Sequence, residues 1–527
     1  MDADRNVHEA MYVEGPTIRA VGSAEALRGL AEPDAQIIDL HGRTVLPGFI
    51  DSHTHIAGSS ISLIRDIDFD RVRQERIQDV LDAVAERVAK AEPGEWICGI
   101  HLRMGDLAEK RFPLRSELDT VAPRNPVVLS DHGNHKLATN SPALELAGIT
   151  RDTPDPDGGS IERDERGEPS GILNERGKLR LGKTHPEAVI PMPTPEEHQD
   201  AMLQIMRHFV SLGVTCVYDM VASPRELRDY QVLKQRGALP LRVRTNIRGI
   251  EAETKLSDLV GLGLRTGFGD EWLRLGAVKF SIDGSDSAHN AALYQSYPGD
   301  PDNRGLIRIE QEELDEAVRI ADANGLQVAI HAIGQRAVDM ALDAIERARK
   351  SNGHSGIPHR IEHAYQPAIN NQLERMRELD VIWSTQIIFY YDEGEYMCEV
   401  FGPGAEEEFY PLRKGKELGL TIQLNSDFSC ASPDPFLAVH TAVTRKTIRG
   451  VQLGSEQAIS VDDAIAMMTT TGADSMSSTT KIGSLETGHL ADFVVLDRDP
   501  YEVPHEELKE VGIVATAVGG DVVFGEI

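Results

Sequence analysis

Eight strand-like runs separated by helical patterns, strand-rich stretches at both chain ends, and one connection too long for the repeat predict the fold class. They predict an α/β protein, a (β/α)8 TIM barrel with a small β-sandwich built from both termini and a subdomain inserted after the first barrel strand. Residues 1–45 and 480–527 fall to the sandwich, 46–479 to the barrel, and about 60–195 to the insertion.

The chain opens with Ala10–Val13 and Thr17–Val21 on either side of Glu14-Gly15-Pro16, two strands about a turn. Gln36–Leu40, followed by His41-Gly42, reads as a third strand. This opening is too small to fold alone, and its abrupt start suggests that a first strand is missing. The far end supplies partners. Ala491–Asp497 is a strand, and Ile513–Val518 with Asp521–Phe524 forms a hairpin across Gly519-Gly520.

Barrel strands are expected at Val45–Ile50, Val214–Tyr218, Leu241–Thr245, Leu273–Phe280, Gln327–Ile330, Arg360–Glu362, Val381–Thr385 and Thr421–Leu424. Helical periodicity covers Glu196–Leu212, Pro224–Arg236, Gln311–Asn324 and Arg336–Ser351. The long connection carries a helix over Arg76–Lys90, a strand at Pro126–Leu129 and a Gly/Asp/Pro-rich piece at Asp152–Gly159. Such a length between two barrel strands is read as a subdomain over the active-site face. Tyr390–Glu408, rich in Tyr, Glu and Gly, has two readings: a mobile lid or a disordered acidic loop.

At 527 residues the chain can bury a large core, and 40% hydrophobic with 26% charged residues is an ordinary globular balance. A formal net charge of −31 argues against nucleic acid and anionic membrane as partners, because phosphate binding needs clustered Lys and Arg. Four dispersed cysteines without a Cys-x-x-Cys motif, and a polar start, fit a soluble protein of the reducing cytoplasm. No apolar run approaches the ~20 residues of a membrane span.

The chemistry begins at Leu46-Pro47-Gly48-Phe49-Ile50-Asp51-Ser52-His53-Thr54-His55. In a strand, residues i and i+2 share a side, so His53 and His55 project together. Two converging neutral imidazoles make half of a metal site; a bare His-x-His in a loop would be only two polar residues. Active residues of such barrels lie at the C-terminal strand ends. There the sequence places Lys279 with Asp283 nearby, His331, His363 and Asp427. A single histidine there is as well explained by a structural role, but the set together points to a metal centre. From residue chemistry alone, Lys279 is more simply a lysine ion-paired with Asp283. Alternatively, burial lowers its pKa and the neutral amine takes up carbon dioxide as a carbamate.

The full set resembles the amidohydrolase superfamily, in its YtcJ-like branch (amidohydrolase family 3), near the N-substituted formamide deformylases and D-aminoacylase-type enzymes. Beyond the first motif the resemblance covers Asn134-His135 through Leu144, Gly171–Glu175, Val278-Lys279 to Ser285 and His331–Gly334. It continues through His359–His363, Asn425–Asp427 and Ile482–Asp492. It implies a divalent-metal hydrolase, usually of zinc, with one or two ions, acting on a small-molecule substrate. It leaves a homodimer open. By position, His53 and His55 would hold the more buried ion and His331 and His363 the second. Carboxylated Lys279 would bridge, and Asp427 would bind metal and act as general base. A single-metal site of His53, His55, His331 and Asp427 also fits.

Relatives commonly read Gly-Asp-Arg where this chain has Gly334-Gln335-Arg336, and Asp286-Ser-Ala-His289 replaces a run of small residues. Asp131-His132-Gly133 is also unusual. Substrate contacts are assigned to His135, with a helix-capping role at Asn140-Ser141 as its alternative, and to Arg308 and Arg336, which could hold a carboxylate or serve in surface ion pairs. The expected reaction is hydrolysis of a carbon–nitrogen bond, most simply an amide. The alternatives are a formamide or cyclic amide hydrolase, and a non-catalytic metal-binding barrel.

Overall fold

The structure, a computed structural model, describes residues 6–527 apart from 70–71, 73, 132–135, 157–158, 182–188, 222, 250–254, 287–288, 354–355, 368, 403 and 474–480. The chain divides into two compact units, Met1–Gly58 with Met202–Ile527, and Ser59–Ala201.

The first unit holds the barrel. Its parallel strands follow chain order: β1 (Phe49–Thr54), β2 (Val214–Val221), β3 (Arg242–Arg248), β4 (Leu273–Ser281), β5 (Val328–Ala332), β6 (Arg360–His363), β7 (Ile382–Thr385) and β8 (Ile422–Leu424). Each strand pairs in parallel with the next. The runs read as strands of a covered sheet are buried, and in β2 all eight residues are. That is the signature of a sheet covered on both faces. The seam between β8 and β1 closes differently. Thr54 bridges Phe428, the His55 N–H donates to the Phe428 carbonyl at 2.5 Å, and Asp51 accepts from Ser426 N–H and Oγ at 3.2 and 2.5 Å. The four helices expected from periodicity are present as Pro195–Ser211, Pro224–Gln235, Gln311–Ala323 and Gln335–Asn352.

The run expected as one barrel strand, Val45–Ile50, is split. Val45–Pro47 pairs antiparallel with Phe493–Leu496 in a four-stranded sheet completed by Ile513–Val518 and Asp521–Gly525. The switch falls at Gly48, where a Cβ would sit 2.2 Å from Thr215 Oγ1. A side chain there would block the strand from passing between the two sheets. The hairpin turn is made by Gly519 and Gly520, with φ of 61° and 84°, the double positive φ that favours Gly-Gly. Ala10–Glu14 and Thr17–Gly22 form a separate two-stranded ribbon, and Ile18 joins Ala491, Phe493, Val495, Ala515 and Ala517 in one core cluster. Both termini thus build the small β domain.

Two expectations are corrected here. Gln36–Leu40 is irregular: Ile37 is 69% and Ile38 40% exposed, while Leu40 packs against the core cluster of the small domain. Tyr390–Glu408 is neither lid nor disordered loop. It forms helices Ile388–Phe401 and Ala405–Glu408, held by buried Tyr390 and Ala405. Tyr390, Tyr391 and Met397 are buried, whereas Tyr396 with Asp392, Glu399 and Glu408 faces outward.

The second unit carries a six-stranded sheet in the order Ile67–Asp68, Ile97–Leu102, Val127–Asp131, Lys136–Thr139, Pro169–Glu175, Gly159–Arg163. It contains the expected helix as Ile77–Val88. His135 lies outside the described residues. The cap considered for it is made by Asn140, whose Oδ1 accepts from Ala143 N–H at 3.3 Å and Val127 N–H at 2.8 Å. Among the described residues no helix is long and apolar enough to cross a membrane.

Candidate metal centre

Strand β1 delivers its histidines through a turn anchored from β2. Thr54 faces away from the pair, and its Oγ1 donates to Asp219 Oδ1 at 3.1 Å. Asp219 also accepts from the N–H groups of Ile56 (2.5 Å) and Ala57 (3.1 Å) and from Tyr230 OH (2.9 Å). The first residues after His55 are therefore fixed by one buried carboxylate.

His53 is fully buried, with Nδ1 2.7 Å from Glu362 Oε2. Glu362 is in turn held by Arg360, Nε to Oε1 at 2.7 Å, whose Nη2 also donates to Ser52 O and Ser384 Oγ. Burial alone would raise the Glu362 carboxyl, but Arg360 and His53 hold it well below its usual range. An ionised carboxylate only accepts, so Nδ1 carries the proton and Nε2 keeps its lone pair. Burial, helped by the nearby Lys279, pushes His53 down to about 3, so the ring stays neutral.

The same division recurs at the other rings. His363 Nδ1 lies 2.8 Å from Gln386 Oε1, and Gln386 Nε2 donates to Asn425 Oδ1. His331 Nε2 lies 2.9 Å from the Gly284 carbonyl. Burial lowers both, His363 to about 4 and His331 well below its usual value, the latter aided by His363 and Lys279. Each of these three imidazoles commits one nitrogen to an acceptor. The ring centres of His53 and His363 are 5.1 Å apart, and those of His331 and His363 4.4 Å.

Opposite stands Asp427. Its Oδ1 lies 3.2 Å from His55 Nε2 and 3.5 Å from His53 Nε2, yet that oxygen is buried and makes no hydrogen bond. Burial would raise its pKa; His53, His55 and His363 together hold it far below the usual carboxylate range. Ligand atoms of His53, His55 and Asp427 all lie within 4.8 Å of one another. A buried anionic oxygen without a hydrogen bond, facing the Nε2 atoms of His53 and His55, is a donor set that a divalent cation fits.

Lys279 comes from β4, with Nζ 3.5 Å from His53 Nε2. Burial lowers it to about 8, although Glu362 and Asp427 oppose the shift. The ion pair with Asp283 is not made. Asp283 instead accepts from the N–H groups of Ala292, Ile333 and Gly334 at 2.8–3.1 Å and fixes the loop beyond β5. Arg308 is exposed, and its charge is felt by Asp283 and His331. Arg336 begins the helix after β5 with its N–H on the Ala292 carbonyl, and no described contact joins its side chain to the cluster. The structure thus brings together His53, His55, Lys279, His331, His363 and Asp427.

The supporting residues Glu362, Arg360, Gln386 and Asp219 carry no assignment from the sequence. The signal for two of them was present: Arg360 and Glu362 are i and i+2 on one strand, hence on one side. Backbone strain marks the same place. His363, Ala364 and Asp427 take φ of 75°, 44° and 52°, a left-handed region rare for residues with side chains and concentrated at functional sites.

Comparison with known proteins agrees with this geometry. The profile of the amidohydrolase family (Amidohydro_3) matches residues 36–524. An N-substituted formamide deformylase of Arthrobacter pascens is 30% identical over 99% of this chain and 95% of its own length. The putative amidohydrolase YtcJ of Bacillus subtilis is 27% identical over 98% of this chain and 96% of its own. A solved structure of an uncharacterized metal-dependent hydrolase from Pyrococcus horikoshii OT3 superposes with a TM-score of 0.77 at 28% identity, covering 94% of both chains. With an eight-stranded barrel, a cation-shaped donor set at its mouth and a profile match across nearly its whole length, this chain belongs to the amidohydrolase family.

Proposed function

We propose that this protein hydrolyses a carbon–nitrogen bond of a small amide, with an N-substituted formamide as the first substrate class to test. The observation that carries the reading is Asp427 Oδ1, a buried acceptor without a hydrogen bond, facing His53 and His55. The formamide class is favoured by the likeness to the Arthrobacter deformylase.

His53 and His55 would hold the more buried ion, His331 and His363 a second, with Asp427 as a further ligand. A divalent ion there, zinc by expectation, lowers the pKa of water to about 7 and polarises a carbonyl. Asp427, kept ionised by the imidazoles around it, accepts the proton of the attacking water and delivers it to the leaving nitrogen. Glu362 and Gln386 hold their histidines in one tautomer while this happens. Carboxylated Lys279 would supply the bridge between two ions. A pKa near 8 leaves a usable neutral fraction for carbon dioxide uptake at neutral pH, and Nζ already lies 3.5 Å from His53 Nε2. Arg308 is retained as a contact for a substrate carboxylate, and four cysteines without a disulfide suit a reducing cytoplasm.

The test is a panel of N-formyl, N-acyl and cyclic amides, assayed before and after metal stripping and after reloading with zinc or manganese. Turnover that requires metal is expected. Protein that binds no metal after reloading sinks the hydrolase reading, and metal binding without any turnover leaves a non-catalytic metal-binding barrel. For the bridge, 13C-bicarbonate should give a carbamate resonance that the K279A variant lacks; the same signal in both removes it.

A further inference from the structure

Tyr365 follows His363 by two residues, and the left-handed turn at His363 and Ala364 sets its direction. That turn is fixed from three sides. Thr385 Oγ1 and Trp383 Nε1 donate to the His363 carbonyl at 2.8 and 3.0 Å, and Ala364 N–H donates to the Ala332 carbonyl at 3.0 Å. The Tyr365 carbonyl accepts from Tyr410 N–H at 2.8 Å. Its ring is clamped edge-on between His363 at 5.8 Å and Phe389 at 5.9 Å, with Tyr410 at 5.2 Å. The residue is 4% exposed.

A buried phenol normally finds a hydrogen-bond partner. Tyr218, Tyr230, Tyr297 and Tyr390 do so, donating to Gly472 O, Asp219, Ala291 O and Glu406 O, whereas Tyr410, packed against Tyr365, has its hydroxyl sealed without a partner. Tyr365 has no side-chain hydrogen bond among the described residues, although its backbone and ring are held rigidly. The ring meets His363 edge-on just past the C-terminal end of β6, so Tyr365 stands beside the histidine cluster at the mouth-side end of the strand.

We infer that Tyr365 is a catalytic residue whose O–H donates a hydrogen bond to the oxygen of the scissile carbonyl as that oxygen gains negative charge. The inference rests on the hydrolase reading above. No proton is transferred in this step. The donor is preorganised at a position where charge develops, and the unmade hydrogen bond of the resting protein is made only with substrate.

The test compares wild type with Y365F, both metal-loaded, on the best substrate of the amide panel, and measures inhibition by methylphosphonate as a tetrahedral anionic probe. Expected for Y365F is a fall in kcat of about 100- to 1000-fold. With it go a KM within about threefold, at least about tenfold weaker methylphosphonate inhibition, and unchanged metal content and unfolding temperature. Y410F, which removes a sealed and equally unpartnered phenol, should leave kcat within about threefold. A kcat for Y365F within about threefold of wild type overturns the proposal. So does a Y365F protein that unfolds or loses its metal, because the hydroxyl would then be structural. Failure of the hydrolase reading looks different: wild type itself turns over nothing, and the assignment of Tyr365 falls with it.

Discussion

Two buried histidine–carboxylate pairs flank strand β6, one at each end of the barrel. His359 precedes the strand. Its Nδ1 accepts from Val328 N–H at 3.2 Å and its Nε2 lies 3.1 Å from Asp322 Oδ1, while Asp322 Oδ2 accepts from Asn352. At the other end Glu362 holds His53 Nδ1, and Nε2 faces Lys279 Nζ and Asp427 Oδ1, each at 3.5 Å. Burial is complete in both, so burial does not separate a structural histidine from a functional one. What the second ring nitrogen faces does: in His359 it is taken by a backbone N–H of β5, whereas in His53 it turns toward the side chains of Asp427 and Lys279.

The sharpest way to break this contrast is at Asp427. D427N removes the anion that makes the upper site unlike the lower one. Turnover should fall by about 1000-fold or more, while the unfolding temperature holds or rises, since an unsatisfied buried charge is costly to keep. Retained turnover would reduce Asp427 to a bystander. Next comes E362Q, which keeps the shape but removes the charge behind His53; metal affinity should weaken about 10- to 100-fold, as read by competition with a chelator dye. The smallest effect is expected at the base. D322A strands the buried His359 Nε2–H, and should cost about 1–3 kcal/mol in denaturant titration. Its metal content should be that of wild type. Metal loss in D322A would erase the distinction between the two pairs.

Much of the barrel and its site is legible in the sequence itself. Strand-end placement is enough to nominate His53, His55, Lys279, His331, His363 and Asp427, because parallel strands in a barrel all point the same way. The Gly519-Gly520 hairpin is readable from the same local chemistry that forms it. What escapes is set by long-range contacts. Val45–Pro47 and Phe49–Thr54 form one apolar run, and only Thr215 behind Gly48 divides them between two sheets. The aromatic residues of 388–401 look like a loop until the buried layer they join is seen. Alternation along β6 puts Glu362 on the side of Arg360 and, by the same rule, would send His363 out of the barrel. The positive φ at His363 breaks the alternation and brings the ring back over the mouth. No periodicity encodes that turn.

The seam that closes the barrel also sets a schedule for the protein's birth. Asp51 waits for Ser426, and His55 for Phe428, so the cradle around His53 and His55 has no second wall until the last barrel strand exists. At about 5–20 residues per second, the roughly 370 residues between them occupy the ribosome for about 20–70 s. Throughout that interval the first histidines are already synthesised and the carboxylate that completes their set is not. The proposed ligand set is therefore complete only once β8 and Asp427 have been made, late in the synthesis of the chain.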